Sequence, residues 1–164
     1  MLKKNIGYTL LELLITLGII SILLLVAIPG WQALLEKNRA TVVVNQLREA
    51  IYYARSEALK RGVTVSVCKT VDQITCSGTW AEGQLVFLDI NRSGIIQSPN
   101  DILRVFDPLP AGSILTWKGA LGQEDYVQVK PSYVTPGTFY FCPGAREIKV
   151  SVTGRVRVEK GQCN

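Results

Sequence analysis

An unbroken apolar run with a carboxylate near its start constrains this chain more than any other feature. Leu10 to Ile28 is interrupted only by Glu12, Thr16, Gly18 and Ser21. With Tyr8 and Thr9 the run reaches about 20 residues, the length at which a helix crosses the hydrocarbon of a bilayer. An ionised Glu12 inside such a helix costs roughly 3 kcal/mol and calls for a cationic partner. Lys3 and Lys4 hold the leader, residues 1–7, on the cytoplasmic side. The run continues into Pro29, Gly30 and Trp31 with no small-residue cleavage site behind it, unlike an ordinary secretory signal. A plain uncleaved anchor would share these features.

Beyond Pro29 the apolar period stays helical. Ala40, Val43, Leu47, Ile51, Ala54 and Ala58 recur at three- and four-residue spacing, one stripe facing a core, with Arg48, Glu49 and Arg55 on other faces. Gly62 is placed to cap the C-terminus. The spacing therefore predicts one long helix, bent near Pro29 and Gly30. After Gly62 the period changes to two. Strands are expected at 63–68, 84–89, 102–106, 113–117, 125–130, 138–142, 147–152 and 155–158, separated by Gly, Pro, Asn and Asp turns. The fold class expected is α+β: a long N-terminal helix packed on an antiparallel β-sheet head. Its parts are the leader 1–7, a transmembrane helix 8–29, and a globular head 30–164 that ends in a β-hairpin.

Charge and cysteine usage narrow the function. Residues 72–125 carry three basic and seven acidic side chains, whereas residues 126–164 carry six and two. A basic C-terminal quarter suits a polyanion, although solvated charge gives the same balance. Cys68, Cys76, Cys142 and Cys163 all follow the apolar run, which points to two disulfides in an oxidising compartment. Three pairings are open; nearness in sequence favours Cys68–Cys76 and Cys142–Cys163. Without histidine or a C-x-x-C pair, zinc is disfavoured. Asp89-Ile-Asn91-Arg-Ser93-Gly94 opens like a calcium loop, but its twelfth position is Asn100 rather than a bidentate Glu, so a turn is the better reading. No nucleophile setting or phosphate loop is present, and neither catalytic residues, a metal nor a cofactor is expected.

The C-terminal tail supplies the candidate site. A three-residue loop, Val152-Thr153-Gly154, would pair Ser151 with Arg155 and Lys149 with Arg157, with Gly154 in the left-handed position. A two-residue turn would instead mix core and solvent faces. The outer face would then carry Lys149, Arg155 and Arg157, the two arginines about 6.6 Å apart along the strand. Guanidinium groups at that spacing can engage neighbouring phosphates of DNA. A charge ladder, with Glu147 and Glu159 neutralising Arg157 diagonally, is the alternative. Arg146 and Lys160 are further cations of the same tail. Lys118, in another strand, is expected to contribute little.

Gly7-Tyr8-Thr9-Leu10-Leu11-Glu12 behind a basic leader and ahead of the apolar run resembles the start of type IV pilins and type II secretion pseudopilins. The resemblance implies that a prepilin peptidase cuts after Gly7 and N-methylates Tyr8. It also implies that Glu12 pairs with the new amine of a neighbouring subunit during filament assembly. Gly83 to Gly94, Asp101 to Arg104, Gly137 to Cys142 and Val152 to Arg157 resemble the GspH/FimT family. Within that family the G-R-x-R ending is similar to that of the FimT minor pilins associated with DNA uptake in natural transformation. It implies DNA contact by Arg155 and Arg157, an inner-membrane protein with a periplasmic head, and display on a surface pilus with other pilins. The alternative is a structural or priming minor pilin, or a secretion pseudopilin, whose head binds other subunits.

Mass spectrometry of the protein from its native membrane should find a mature chain that begins at N-methylated Tyr8. A start at Met1 or beyond Ile28 would contradict the pilin reading. Glu12→Ala should impair filament assembly and leave cleavage largely intact.

Overall fold

The structure is a computed structural model and describes residues 9–120 and 122–162. Gly7, Tyr8 and Cys163 lie outside the described residues, and with them the cleavage site and the Cys142–Cys163 pairing. One long helix, α1 (Leu10–Arg61), leads into eight described strands. Two compact units divide the chain, Met1–Lys37 and Asn38–Asn164.

In the first unit Thr9 caps the helix. Its Oγ1 accepts the Glu12 amide at 3.2 Å and its carbonyl accepts the Leu13 amide at 3.2 Å, which satisfies two donors that a helix start leaves open. Every side chain from Leu10 to Leu25 is exposed. Thr16 and Ser21 turn their hydroxyls back onto the carbonyls of Leu13 and Leu17, leaving a surface that is apolar apart from Glu12. Such a surface suits lipid or neighbouring helices. The helix is continuous through Pro29.

In the second unit the remainder of α1 buries Ala40, Val43, Leu47, Ala50, Ile51, Ala54 and Ala58, the expected stripe with Ala50 added. The helix ends at Gly62, whose φ is +69° and whose amide bonds the Ala58 carbonyl at 2.9 Å, a left-handed termination that glycine adopts without strain.

The strands are β1 (Val65–Lys69), β2 (Gln84–Leu88), β3 (Ile102–Phe106), β4 (Ile114–Gly119), β5 (Tyr126–Val129), β6 (Gly137–Cys142), β7 (Arg146–Val150) and β8 (Val156–Lys160). They form two antiparallel sheets rather than one, in the orders β3-β2-β1-β5 and β4-β6-β7-β8. Both sheets contribute to one core with the helix stripe, including Val67, Val86, Val127, Trp117, Phe139, Phe141 and Ile148.

The sheets differ in what covers their far side. The first is buried on both faces: Cys68, Leu85 and Phe87 form a second cluster with Ile96, Val105 and Tyr126. The Cys68–Cys76 disulfide closes the loop after β1 over this side. Polar residues enclosed on either face of this sheet are satisfied. Gln84 donates to the Trp80 carbonyl at 2.6 Å and accepts from Gln46 at 2.9 Å. Asp89 accepts the Ser66 hydroxyl at 2.6 Å, the Gly94 amide at 3.2 Å and the Gln128 amide group at 3.4 Å. The Asp89–Gly94 segment is thus a turn bolted to the sheet by its first carboxylate. The second sheet alternates buried and accessible positions along β4, β6 and β7. Its outer face is open.

Asp89→Ala should strand the Ser66 hydroxyl and the Gly94 amide in a buried site. A loss of about 1–3 kcal/mol is expected, read as a lower urea midpoint for the detergent-solubilised chain. An unchanged midpoint would remove Asp89 from this role.

Candidate nucleic-acid interface

The β7–β8 hairpin adopts the expected register. Lys149 pairs with Arg157 and Val150 with Val156. Beyond the ladder the Ser151 amide bonds the Arg155 carbonyl at 3.0 Å and the Gly154 amide bonds the Ser151 carbonyl at 2.8 Å. Ser151 Oγ accepts the Arg155 amide at 3.1 Å, which leaves Val152, Thr153 and Gly154 as the loop. Gly154 has φ +75°, a conformation costly for any residue with a side chain. A Cβ there would also stand 3.0 Å from Val134 Cγ2 and 3.1 Å from Arg55 Nη1. Backbone and packing both require glycine.

Ile148, Val150 and Val156 point into the core, so the two-residue alternation sends Lys149, Arg155 and Arg157 outward. Both arginines are exposed. Among the described residues neither guanidinium is held in an ion pair. Lys149 is different. Its Nζ lies 2.7 Å from Glu159 and 3.5 Å from Glu147. The bond to Glu159, with Glu147 behind it, raises the ammonium pKa. Lys149, and then Arg157, lowers that of the Glu159 carboxyl. The two carboxylates that the charge-ladder alternative sets against Arg157 thus grip Lys149. They stand directly opposite one another, and the cation between them offsets their repulsion.

Arg146 and Lys160 also pair in register, but two-residue alternation groups them with Ile148 and Val158. They lie on the opposite side of the pleat from Arg155 and Arg157. Lys118 lies in another strand, β4, as expected, and register places it on the outer face. It pairs with Thr138, Thr138 with Lys149, and Lys149 with Arg157. This row crosses all four strands of the second sheet, about 14 Å from end to end. Lys118 Nζ sits 5.6 Å from the Tyr140 ring centre. The next row, Thr116, Tyr140, Glu147 and Glu159, carries the acids. Arg55 is a further cation the tail alone could not reveal, since it reaches Gly154 from the helix. Cross-strand register carries the Lys118 signal; no local pattern carries either.

Residues 43–154 match the family model described as Type II transport protein GspH. Residues 2–28 match the prokaryotic N-terminal methylation motif. Comparison with curated proteins returns no match. Among solved structures, the type IV minor pilin FimU of Pseudomonas aeruginosa is similar at 25% identity over 76% of this chain and 90% of that one, with a TM-score of 0.53. The minor pseudopilin EpsH of the Vibrio cholerae type II secretion system shares the fold, at 15% identity over 77% and 99% and a TM-score of 0.53. The motif and the apolar helix together point to inner-membrane anchoring, processing by prepilin peptidase and assembly with other pilins.

A carboxylate whose folded pKa is depressed contributes stability at neutral pH and loses it as the pH falls through that pKa. The Glu159 carboxyl should therefore titrate below the ordinary 4.5 in a carboxyl-detected NMR titration. In Lys149→Gln the midpoint should return upward. A Glu159 midpoint unmoved by that substitution would remove the ion pair from the account.

Proposed function

Since this chain belongs to the GspH family of pilins and pseudopilins, we propose that it is a minor type IV pilin of the FimT kind, capturing extracellular DNA for uptake in natural transformation. The observation that carries this reading is the pair of exposed guanidiniums, Arg155 and Arg157, projecting from one face two residues apart and free of ion pairs among the described residues. Phosphate is the ligand such a pair fits, by charge and by bidentate geometry. Phosphate contacts carry no base information, so binding through this pair is independent of sequence and governed by counterion release.

The remaining residues take graded roles. Gly154 shapes the loop that aims Arg155. Lys149 is a reserve cation, available to phosphate to the extent that Glu159 lets go. Lys118 extends the same row toward β4. Arg146 and Lys160, on the other side of the pleat, support the local potential rather than touching the bound phosphates. In the anchoring unit a prepilin peptidase releases the leader after Gly7 and methylates Tyr8, and Glu12 pairs with a neighbouring subunit in the filament. The head faces the periplasm until assembly carries it to the pilus surface.

A second reading is a structural or priming subunit whose head binds other pilins, which similarity to the type IV minor pilin FimU, at 25% identity, accommodates equally. Such a subunit would ignore DNA. Arg155→Gln with Arg157→Gln should leave stability within about 0.5 kcal/mol, as exposed positions usually do, while DNA affinity collapses. On duplex DNA the log-affinity versus log-salt slope should flatten by about 0.9 for each phosphate that is no longer neutralised. Glu159→Gln should strengthen binding by releasing Lys149. Arg92→Gln, in the turn beside the first sheet, should change little. Parental affinity and salt slope in the double variant would move the priming-subunit reading to the front.

A further inference from the structure

The outer face of the second sheet grows more favourable to phosphate toward the hairpin loop. Carboxylates occupy the Glu147–Glu159 row, Lys149 in the next row is engaged by them, and Arg157 and Arg155 beyond it are free of ion pairs among the described residues. A phosphate chain following unpaired cations therefore moves off the sheet and over the loop. What it meets there is a second turn. β5 ends at Val129, which bridges to Val134, and between them the Lys130 amide bonds the Tyr133 carbonyl at 2.7 Å. The Val134 amide bonds the Val152 carbonyl at 2.8 Å, stitching this turn to the hairpin loop.

Two cations and an aromatic ring come with it. Lys130 Nζ donates to the Tyr133 hydroxyl and stands 4.6 Å from the ring centre, so the ring is held in place while 38% of Tyr133 remains exposed. Arg55 fills the space beside Gly154 and Val134. Among the described residues neither Arg55 nor Lys130 is in an ion pair. An exposed, immobilised aromatic ring with one cation against it and another beside the neighbouring Val134 is a combination that can hold an unpaired base: the ring stacks the base and the charges take nearby phosphates.

We propose that the receptor surface wraps the hairpin tip, from Arg157 and Arg155 past Arg55 to the Lys130–Tyr133 turn, and that it takes single-stranded nucleic acid with one base stacked on Tyr133. The proposal rests on the hairpin being the phosphate-binding surface, which duplex DNA still reaches through Arg155 and Arg157, and adds a preference for unpaired strands. Stiffness supplies the preference. Duplex DNA is straight over about 150 base pairs and resists turning around a loop of a few residues. A single strand turns there freely and has bases to offer the ring.

The full chain in detergent micelles, titrated with a labelled oligothymidylate, an abasic oligonucleotide of equal length and a duplex, tests this. Tyr133→Ala should weaken oligothymidylate binding about tenfold and leave the abasic strand unaffected, while Tyr133→Phe keeps parental affinity for both. Arg55→Gln should weaken both single strands and flatten their salt slope by about 0.7. If Tyr133→Ala leaves oligothymidylate binding unchanged while the Arg155, Arg157 double variant loses it, the stacking site falls and the hairpin reading survives. If Tyr133→Ala weakens oligothymidylate and abasic strand equally, the ring does not stack bases and the proposal falls as well. If the double variant binds every probe like the parent, the hairpin reading itself fails.

Discussion

Everything at the candidate site depends on one packing relation: a stripe of small and branched residues on α1 against the inner faces of the strands. Ala40, Ala50, Ala54 and Ala58 are at most 5% exposed, and side chains that short let the sheets approach the helix closely. Ile148, Val150 and Val156 fill the space on the sheet side. Because a strand has period two, burying those three leaves no choice for their neighbours. A slip of one residue would bury Lys149 and Arg157 and expose the valines. The cationic face is held outward by the hydrophobic cost of turning it in.

The two sheets divide labour. The first is closed on both sides, locked by a disulfide and by the hydrogen-bonded Asp89, and behaves as scaffold. The second shows one face to the core and one to solvent, and its outer face is ruled into rows of like charge running across the strands. The acidic row beside the basic one is not a defect of a polyanion-binding surface. Glu147 and Glu159, opposite one another, would repel without the Lys149 between them. Their grip on that lysine leaves the arginines as the accessible cations and tilts the field toward the hairpin tip.

Most of the local structure was legible in the sequence because it is set by local chemistry. The apolar run, the helix stripe, the glycine stop at Gly62, the strand positions to within two residues and the Val152–Gly154 loop all follow from residue periodicity and turn preference. So does the Cys68–Cys76 bridge, whose partners are near in sequence. The outward direction of Lys149, Arg155 and Arg157 was readable for the same reason, once the loop length set the register.

Long-range pairing decided the rest. Nothing local in the eight described strands says that they split into two sheets, or that segments after β1 and β2 cover the far side of the first and bury Ser66. Lys118 joins Arg157 only through two intervening strands, so its place in the basic row is a property of sheet order. The competition for Lys149 turned on side-chain geometry across the ladder, where Glu159 lies at 2.7 Å. Arg55 and the turn that carries Tyr133 reach the hairpin loop from regions remote in sequence, through packing that exists only when the core has closed. Periodicity thus determined which side chains each element offers outward; tertiary packing decided which of them share a surface, because proximity across a fold is set by the order of its layers rather than by distance along the chain.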